Sequence, residues 1–341
     1  MIHFQFSIFN TLLFASLLFF CTVVNAQVKW TNTDVYYAPL PKGVHVYKTT
    51  DSLDGKPFAA YYAIADLKNK TLQFTTDTTY KRRLTPSQFY QKSGQPLLLV
   101  NCTFFSFATN QNLNVVIKNS KLVGFNIHSI PLSGKDTFQY KHPFASALGI
   151  SKKRKADVAW LFTDSLLKFP YASQQPADPV KDSVSALNFE RAKLYISEII
   201  YDDFAGSNNQ ESKLTKWKMQ TAVGGGPVLL QNGQIKITNN EELKFAGNAI
   251  NDQHPRTLMG YTKDNKLIVM VIQGRFPGLA EGASLLQGAI LMKDLGCVEA
   301  LNLDGGGSSC MLINGKETIT PSDKGLQRAV PAVFIIQVKR K

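Results

Sequence analysis

In Leu301-Asn302-Leu303-Asp304-Gly305-Gly306-Gly307-Ser308-Ser309 an apolar alternation runs into a carboxylate, a glycine run and two hydroxyls. Strand geometry over residues 298–304 would send Asn302 and Asp304 to one face, and Leu301 and Leu303 to the other. The polar face then delivers an amide and an acid to a loop whose bare N–H groups, at Gly305 and Gly306, can approach an anion. Ser308 adds a hydroxyl. A sugar or phosphate ligand fits this combination better than a plain strand connection with a capping aspartate does.

Three other loops carry related chemistry, each at the end of an apolar strand or inside a hairpin unit. Asn101-Cys102-Thr103-Phe104-Phe105 offers an amide and two rings, Gly224-Gly225-Gly226-Pro227 offers bare backbone, and His254-Pro255-Arg256-Thr257 with Gly274-Arg275 offers two arginines outside charge-rich text. Each residue also has a plainer use. Asn101 can end a strand, Phe104 and Phe105 can be core, the glycines can form a tight turn, His254 can sit idle in a loop, and Glu281 can favour a helix start. It is their joint occurrence that points to a site. His-Glu-x-x-His, a Walker loop and a Gly-x-Ser-x-Gly elbow are absent, and five histidines are few for a multi-metal hydrolase. No metal or cofactor is expected.

These loops need a rigid scaffold. Residues 58–66 and 71–76 read as a hairpin turning at Lys68-Asn69-Lys70. Thr85-Pro86-Ser87 opens a short helix, with Thr85 as cap. Pro96 to Val100 is an apolar strand ending at Asn101. Hairpins are expected around Asn119-Ser120, Asn232-Gly233, Lys263-Asp264-Asn265 and Asn314-Gly315. One clear helix starts at Ser284, with an apolar face of Leu285, Leu286, Ala289, Ile290 and Met292, and stops at Gly296. Val330 to Val338 is the last strand. Residues 170–184 and 206–212 read as surface loops. The pattern predicts an α+β fold with a mixed, largely antiparallel sheet and a few flanking helices.

The 341 residues, 44% hydrophobic and 18% charged, describe a globular protein rather than a disordered one. Residues 1–26 read as a secretory signal cleaved before Gln27, with an uncleaved N-terminal anchor as the alternative. The expected location is therefore periplasmic or extracellular, with no membrane span after cleavage. A formal net charge of +13 would suit anionic partners, but scattered lysines that serve solubility are the plainer reading. The densest basic run, Lys152-Lys153-Arg154-Lys155, is short and lacks interleaved aromatics, so no nucleic-acid partner is expected. Three cysteines remain after cleavage, Cys102, Cys297 and Cys310; a Cys102–Cys310 bridge and three buried thiols are both open readings. Oligomeric state is not legible. The segments 27–57 and 58–341 read as an N-terminal extension and a single domain.

The chain resembles the phosphodiester glycosidases over roughly residues 58–338. The resemblance rests on Ala63-Ile64-Ala65-Asp66-Leu67, Asn101 through Phe105, Val223 through Leu229 with Asn232-Gly233, Pro255-Arg256-Thr257, Gly274-Arg275, and above all Ala300 through Ser309. It implies hydrolysis of a sugar–phosphate linkage at the anomeric carbon of a glycan phosphodiester. A phosphate leaves readily, its second pKa being about 6, so the site needs cations and N–H groups at the departing phosphate more than a strong acid. Arg256, Arg275 and the glycine loops (Gly224, Gly225, Gly226, Gly305, Gly306) suit that role. A carboxylate must flank the oxocarbenium-like centre; Asp304 is the first choice and Glu281 the second. Asn101, Phe105, Asn302 and Ser308 would contact the sugar or phosphate. One departure stands out: the family's Asn-Gly-Gly-Phe-Phe is Asn101-Cys102-Thr103-Phe104-Phe105 here. That narrows the pocket and opens a second reading, a non-catalytic glycan-binding or envelope-assembly protein on the same scaffold.

Overall fold

The structure is a computed structural model and describes residues 28–185 and 214–339. The expected signal segment and the loop at 206–212 lie outside those residues.

The fold is β-rich, and every strand pairing in the described residues is antiparallel. Three sheets dominate. An eight-stranded sheet runs in the order 31–32, 44–49, 59–66, 266–273, 256–262, 297–302, 228–231, 234–235. A seven-stranded sheet centres on 145–150, paired with 156–162 and 221–224. A five-stranded sheet orders 316–317, 311–313, 98–101, 332–338 and 72–78. Helices are short among the described residues: α1 (Pro86–Lys92), α2 (Asn239–Glu242) and α3 (Leu285–Asp294). The largely antiparallel sheet expected is found, while the α+β reading is corrected to a β-dominated fold. Crossings between sheets are made by loops, so no parallel pairing with a helical crossover is needed.

The three sheets turn apolar faces onto one shared core. Ala63, Val228, Met259 and Leu301 from the first sheet meet Leu148, Trp160 and Val223 from the second, and Phe74, Leu98, Met311 and Phe334 from the third. α3 covers the other face of the eight-stranded sheet, and Phe89 of α1 seals the outer face of the five-stranded one. Both helices start on capping boxes, Thr85 with Gln88 and Ser284 with Gln287, which satisfy amide N–H groups otherwise left without partners. The buried face of α3 is Leu285, Gly288, Ala289, Leu291 and Met292; Leu286 and Ile290 are largely exposed.

Local turns behave as their sequences dictate. Asn119-Ser120, Asn232-Gly233 and Asn314-Gly315 all take the positive φ that tight hairpins require, and the strands on either side pair. The expected hairpin of 58–66 with 71–76 does not form. Strand 59–66 pairs with 44–49 and 266–273, whereas 72–78 pairs with 332–338 in another sheet. Arg154 holds the turn between them by donating to the carbonyls of Leu67 and Asn69, each at 2.9 Å. Residues 170–184, expected as loop, contribute the strands Tyr171–Ser173 and Val180–Asp182.

Two of the loops that change sheets carry the glycine runs. Gly224-Gly225-Gly226-Pro227 leads from the seven-stranded to the eight-stranded sheet, and Leu303 through Cys310 from the eight-stranded to the five-stranded. Asn101 closes a strand of the five-stranded sheet beside both. Loops on a rigid sheet scaffold are where sites collect.

Candidate active site

Asp304 sits just past the strand Cys297–Asn302, fixed through its backbone. Its N–H donates to Cys102 O at 2.7 Å, and its carbonyl accepts from Asn101 Nδ2 at 2.6 Å. Asn101 Oδ1 accepts from Thr257 Oγ1 at 2.8 Å and from Cys310 N at 3.1 Å. The Asn101 amide, expected to contact ligand, is therefore engaged with protein on both ends and holds the Asp304 turn. Phe105 is likewise mostly packing: it is buried with Phe89, Leu99 and Cys310. Neither Cys102 nor Thr103 has a positive φ, so their replacement of the family's glycines causes no backbone strain of that kind. All three described cysteines are free thiols in the interior, and the Cys102–Cys310 bridge is not formed.

Four buried polar atoms of this region find no hydrogen-bond partner: Thr103 Oγ1, Asn302 Oδ1, Asp304 Oδ2 and Ser308 Oγ. They belong to neighbouring positions, because Cys102 O is bonded to Asp304 N. Interiors seldom leave polar atoms unpaired, since each costs about 1–3 kcal/mol, and a group of them marks a place for ligand. Burial pushes the Asp304 carboxyl up to about 7. The Ser308 hydroxyl, the Arg328 charge and the Gly305 N–H oppose that shift, but no hydrogen bond of normal geometry joins Ser308 Oγ to Asp304 Oδ2.

Cations gather beside the same loop. Arg256 is buried and donates from Nε to Ala283 O at 2.9 Å and from a terminal nitrogen to Asp252 O at 3.1 Å. Both acceptors are neutral carbonyls. Burial and the charge of Arg275 bring its guanidinium down to about 10. Arg275 has a φ of +66°, unusual for a side-chain-bearing residue, and a Cβ on Gly306 would lie 3.2 Å from its guanidinium. His254 Nδ1 is buried without a partner, and burial, Arg256 and Arg275 all lower its pKa. Two arginines and a histidine that resists protonation form an electropositive corner suited to a phosphate.

The glycines divide in role. Gly224, Gly225 and Gly226 donate their N–H groups to Val115 O, Ser146 O and Asn302 O at 2.8, 3.0 and 2.8 Å. Those groups are not turned to an anion, contrary to expectation; the glycines serve close packing. At Gly226, with φ +118°, an added Cβ would collide with Glu242 and Lys244. Gly226→Ala is expected to destabilise the fold by about 3 kcal/mol, read from denaturant midpoints. Gly306 N donates to Pro255 O at 2.8 Å, which ties the Asp304 loop to the Arg256 loop. Gly305 N–H faces the Asp304 carboxylate itself. Glu281 accepts at Oε1 from Gly278 N at 3.1 Å within its own turn. Asn302 donates to Gly226 O and Leu303 O, both at 2.9 Å, leaving its Oδ1 open.

The structure adds residues that the sequence does not single out. Arg328 bonds Asp323 Oδ2 at 2.9 Å and lies against Gly307, where a Cβ would meet its guanidinium. Its charge favours the ionised form of Asp304. Arg328→Gln should therefore raise the Asp304 pKa and move the corresponding limb of a pH–rate profile upward by about half to one unit; an unmoved limb would remove Arg328 from that role. Phe104 meets Phe245 edge-on at 6.0 Å, with Lys244 over the first ring at 5.4 Å and Arg256 over the second at 5.6 Å.

With this geometry in place, known proteins can be compared. A curated relative, the SPbeta prophage-derived uncharacterized protein YomE of Bacillus subtilis (strain 168), is 36% identical over 81 residues, covering 24% of this chain and 12% of its own length. This chain thus spans a small part of that relative. A hypothetical protein from Synechocystis has a similar fold, with TM-score 0.58 and 12% identity over 91% of this chain and 64% of that one. So does the zebrafish N-acetylglucosamine-1-phosphodiester alpha-N-acetylglucosaminidase catalytic domain auto-inhibited by its pro-peptide, with TM-score 0.55 and 18% identity over 92% of this chain and 89% of that one. At such identities the likeness establishes the fold. The family model for phosphodiester glycosidases matches residues 177–337, which include the Gly224–226, Arg256, Arg275 and Asp304 loops but not Asn101. Residues 177–337 thus match the phosphodiester glycosidase family, to which the motifs of the chain point.

Proposed function

We propose that the protein is an exported hydrolase that cleaves the anomeric C–O bond of a sugar-1-phosphodiester, releasing free sugar and a phosphate monoester. The observation that carries this reading is the group of unpartnered polar atoms at Thr103, Asn302, Asp304 and Ser308, set beside the Arg256–Arg275 corner. The phosphate would rest on Arg256 and Arg275, whose positive charge stabilises the departing oxygens. Asn302 Oδ1, Thr103 Oγ1 and Ser308 Oγ would bind sugar hydroxyls or phosphate oxygens. The Asp304 carboxyl would face the anomeric carbon. A carboxyl pushed to about 7 exists in both forms near neutrality. Its proton can pass to the leaving oxygen, and its anion can stabilise positive charge on the ring or accept a proton from water. Glu281 is the second candidate carboxylate. Export rests on the composition of residues 1–26; no helix of the described residues is long and apolar enough to cross a membrane.

The test is release of free sugar from a panel of sugar-1-phosphodiesters by the purified, folded protein. Turnover of at least one member is expected. Inactivity on all of them would contradict the reading. Tight glycan binding without turnover would assign the protein to glycan recognition instead, the outcome that Cys102 and Thr103 in place of glycines would favour.

A further inference from the structure

Lys244 is the one cation of the site whose purpose the phosphate does not explain. Its side chain passes through the space that a Gly226 side chain would occupy, and its amine lies 5.4 Å above the Phe104 ring. It follows Glu242, whose carboxylate is already saturated. Oε2 accepts from Ser146 N at 3.0 Å and Ser146 Oγ at 2.7 Å, and Oε1 from Val228 N at 2.9 Å, Thr238 Oγ1 at 2.7 Å and Trp160 Nε1 at 3.2 Å. Glu242 therefore has its donors without Lys244, and among the described residues no carboxylate lies within ion-pair distance of the Lys244 amine. The same holds for Arg256 and Arg275. A partly buried lysine without a carboxylate partner keeps its charge for another anion; this one is placed against an aromatic face. Burial lowers its pKa, and the nearby Glu242 charge opposes that.

Position gives the amine its use. Gly226 and Asn302 are joined by two hydrogen bonds, Gly226 N to Asn302 O at 2.8 Å and Asn302 Nδ2 to Gly226 O at 2.9 Å. The Lys244 stem thus lies against Gly226, the residue that Asn302 bonds, and its amine over Phe104, the residue that follows Thr103. Phe104 and Phe245 meet edge-on, with Lys244 over the first ring and Arg256 over the second. A phosphodiester carries a single negative charge, which on the proposed reading Arg256 and Arg275 already meet.

We infer that the sugar itself bears a second anionic group, a carboxylate or a phosphate, and that Lys244 is the specificity-determining residue that receives it. This inference rests on the sugar–phosphate reading of the site. The triple glycine then gains a reason: its third member is bare because the lysine stem needs that space.

Calorimetric titration of the full chain with glucose 1-phosphate, glucuronic acid 1-phosphate and glucose 1,6-bisphosphate tests it. One of the two acidic sugars is expected to bind at least tenfold more tightly than glucose 1-phosphate, and which one identifies the anion. Lys244→Met should erase that preference while leaving glucose 1-phosphate within twofold, and Lys244→Arg should keep it. Equal binding of all three by the wild type, or a preference that survives Lys244→Met, overturns the inference and leaves the sugar–phosphate reading standing. Binding of none overturns both. If Lys244→Met fails to fold, Lys244→Gln takes its place with the same expected loss of preference.

Discussion

Asp304→Asn is expected to lower kcat by at least a hundredfold while leaving the fold intact, as measured by sugar release at saturating substrate. Asparagine keeps the shape of the side chain but can neither hold a proton near neutrality nor carry negative charge, and acid–base groups are worth about 10²–10⁴ in rate. A second consequence follows from linkage. In the folded chain the carboxyl is pushed from its ordinary 3.8 up to about 7, so between those values the folded state binds the proton that the unfolded state releases. Stability of the wild type should fall as pH rises from about 4 to about 7, and the destabilisation persists above. The variant lacks that dependence. Its melting temperature should exceed that of the wild type at pH 8, reflecting a stability gain on the order of 4 kcal/mol, and the advantage should vanish near pH 4. Normal turnover in the variant would remove Asp304 from the mechanism. A variant no more stable at pH 8 would mean that the carboxyl is not held in an unfavourable charged state.

The second large effect lies in stability. Asn101→Ala should cost about 4 kcal/mol, read from denaturant midpoints, because it strands three partners at once. Asp304 O loses its donor, and Thr257 Oγ1 and Cys310 N lose their shared acceptor. Asn101 is completely buried, so water cannot readily replace the amide. The same variant should lose activity through misplacement of Asp304, without any direct contact between Asn101 and substrate. A variant of near-normal stability would show that the Asp304 turn is held by other means, such as the Asp304 N to Cys102 O bond.

Asn101 also shows what the sequence can and cannot reveal. Its importance was legible, since an amide ends an apolar strand in a recognisable motif. Its role was not, because both ends of the amide bond residues distant in the chain. Local structure read well wherever the signal was local: the Asn-Gly turns, the Thr85 and Ser284 caps and the strand before Asp304 all lie where residue types place them. Strand partnership read poorly. Strands 59–66 and 72–78 look like a hairpin because they are adjacent and alternate, but alternation specifies which faces are buried and not which strand lies alongside. The scarcity of helix has a related cause, since loops between sheets do the work that helical crossovers do in α/β folds. Lys244, Phe245 and Arg328 were invisible because nothing in their neighbouring sequence sets them apart; Gly226 and Gly307 give them room, a relation that exists only in three dimensions. Gly224 to Gly226 looked like an anion cradle, yet their N–H groups answer carbonyls of the surrounding sheets.

The central claim is that Asp304 and its neighbours act at the anomeric carbon while Arg256 and Arg275 hold the departing phosphate. Hydrolysis of an active sugar-1-phosphodiester in heavy-oxygen water, with mass analysis of both products, tests it most directly. The label is predicted in the sugar, from attack at carbon and C–O cleavage. Label in the phosphate monoester would mean attack at phosphorus and would contradict the account.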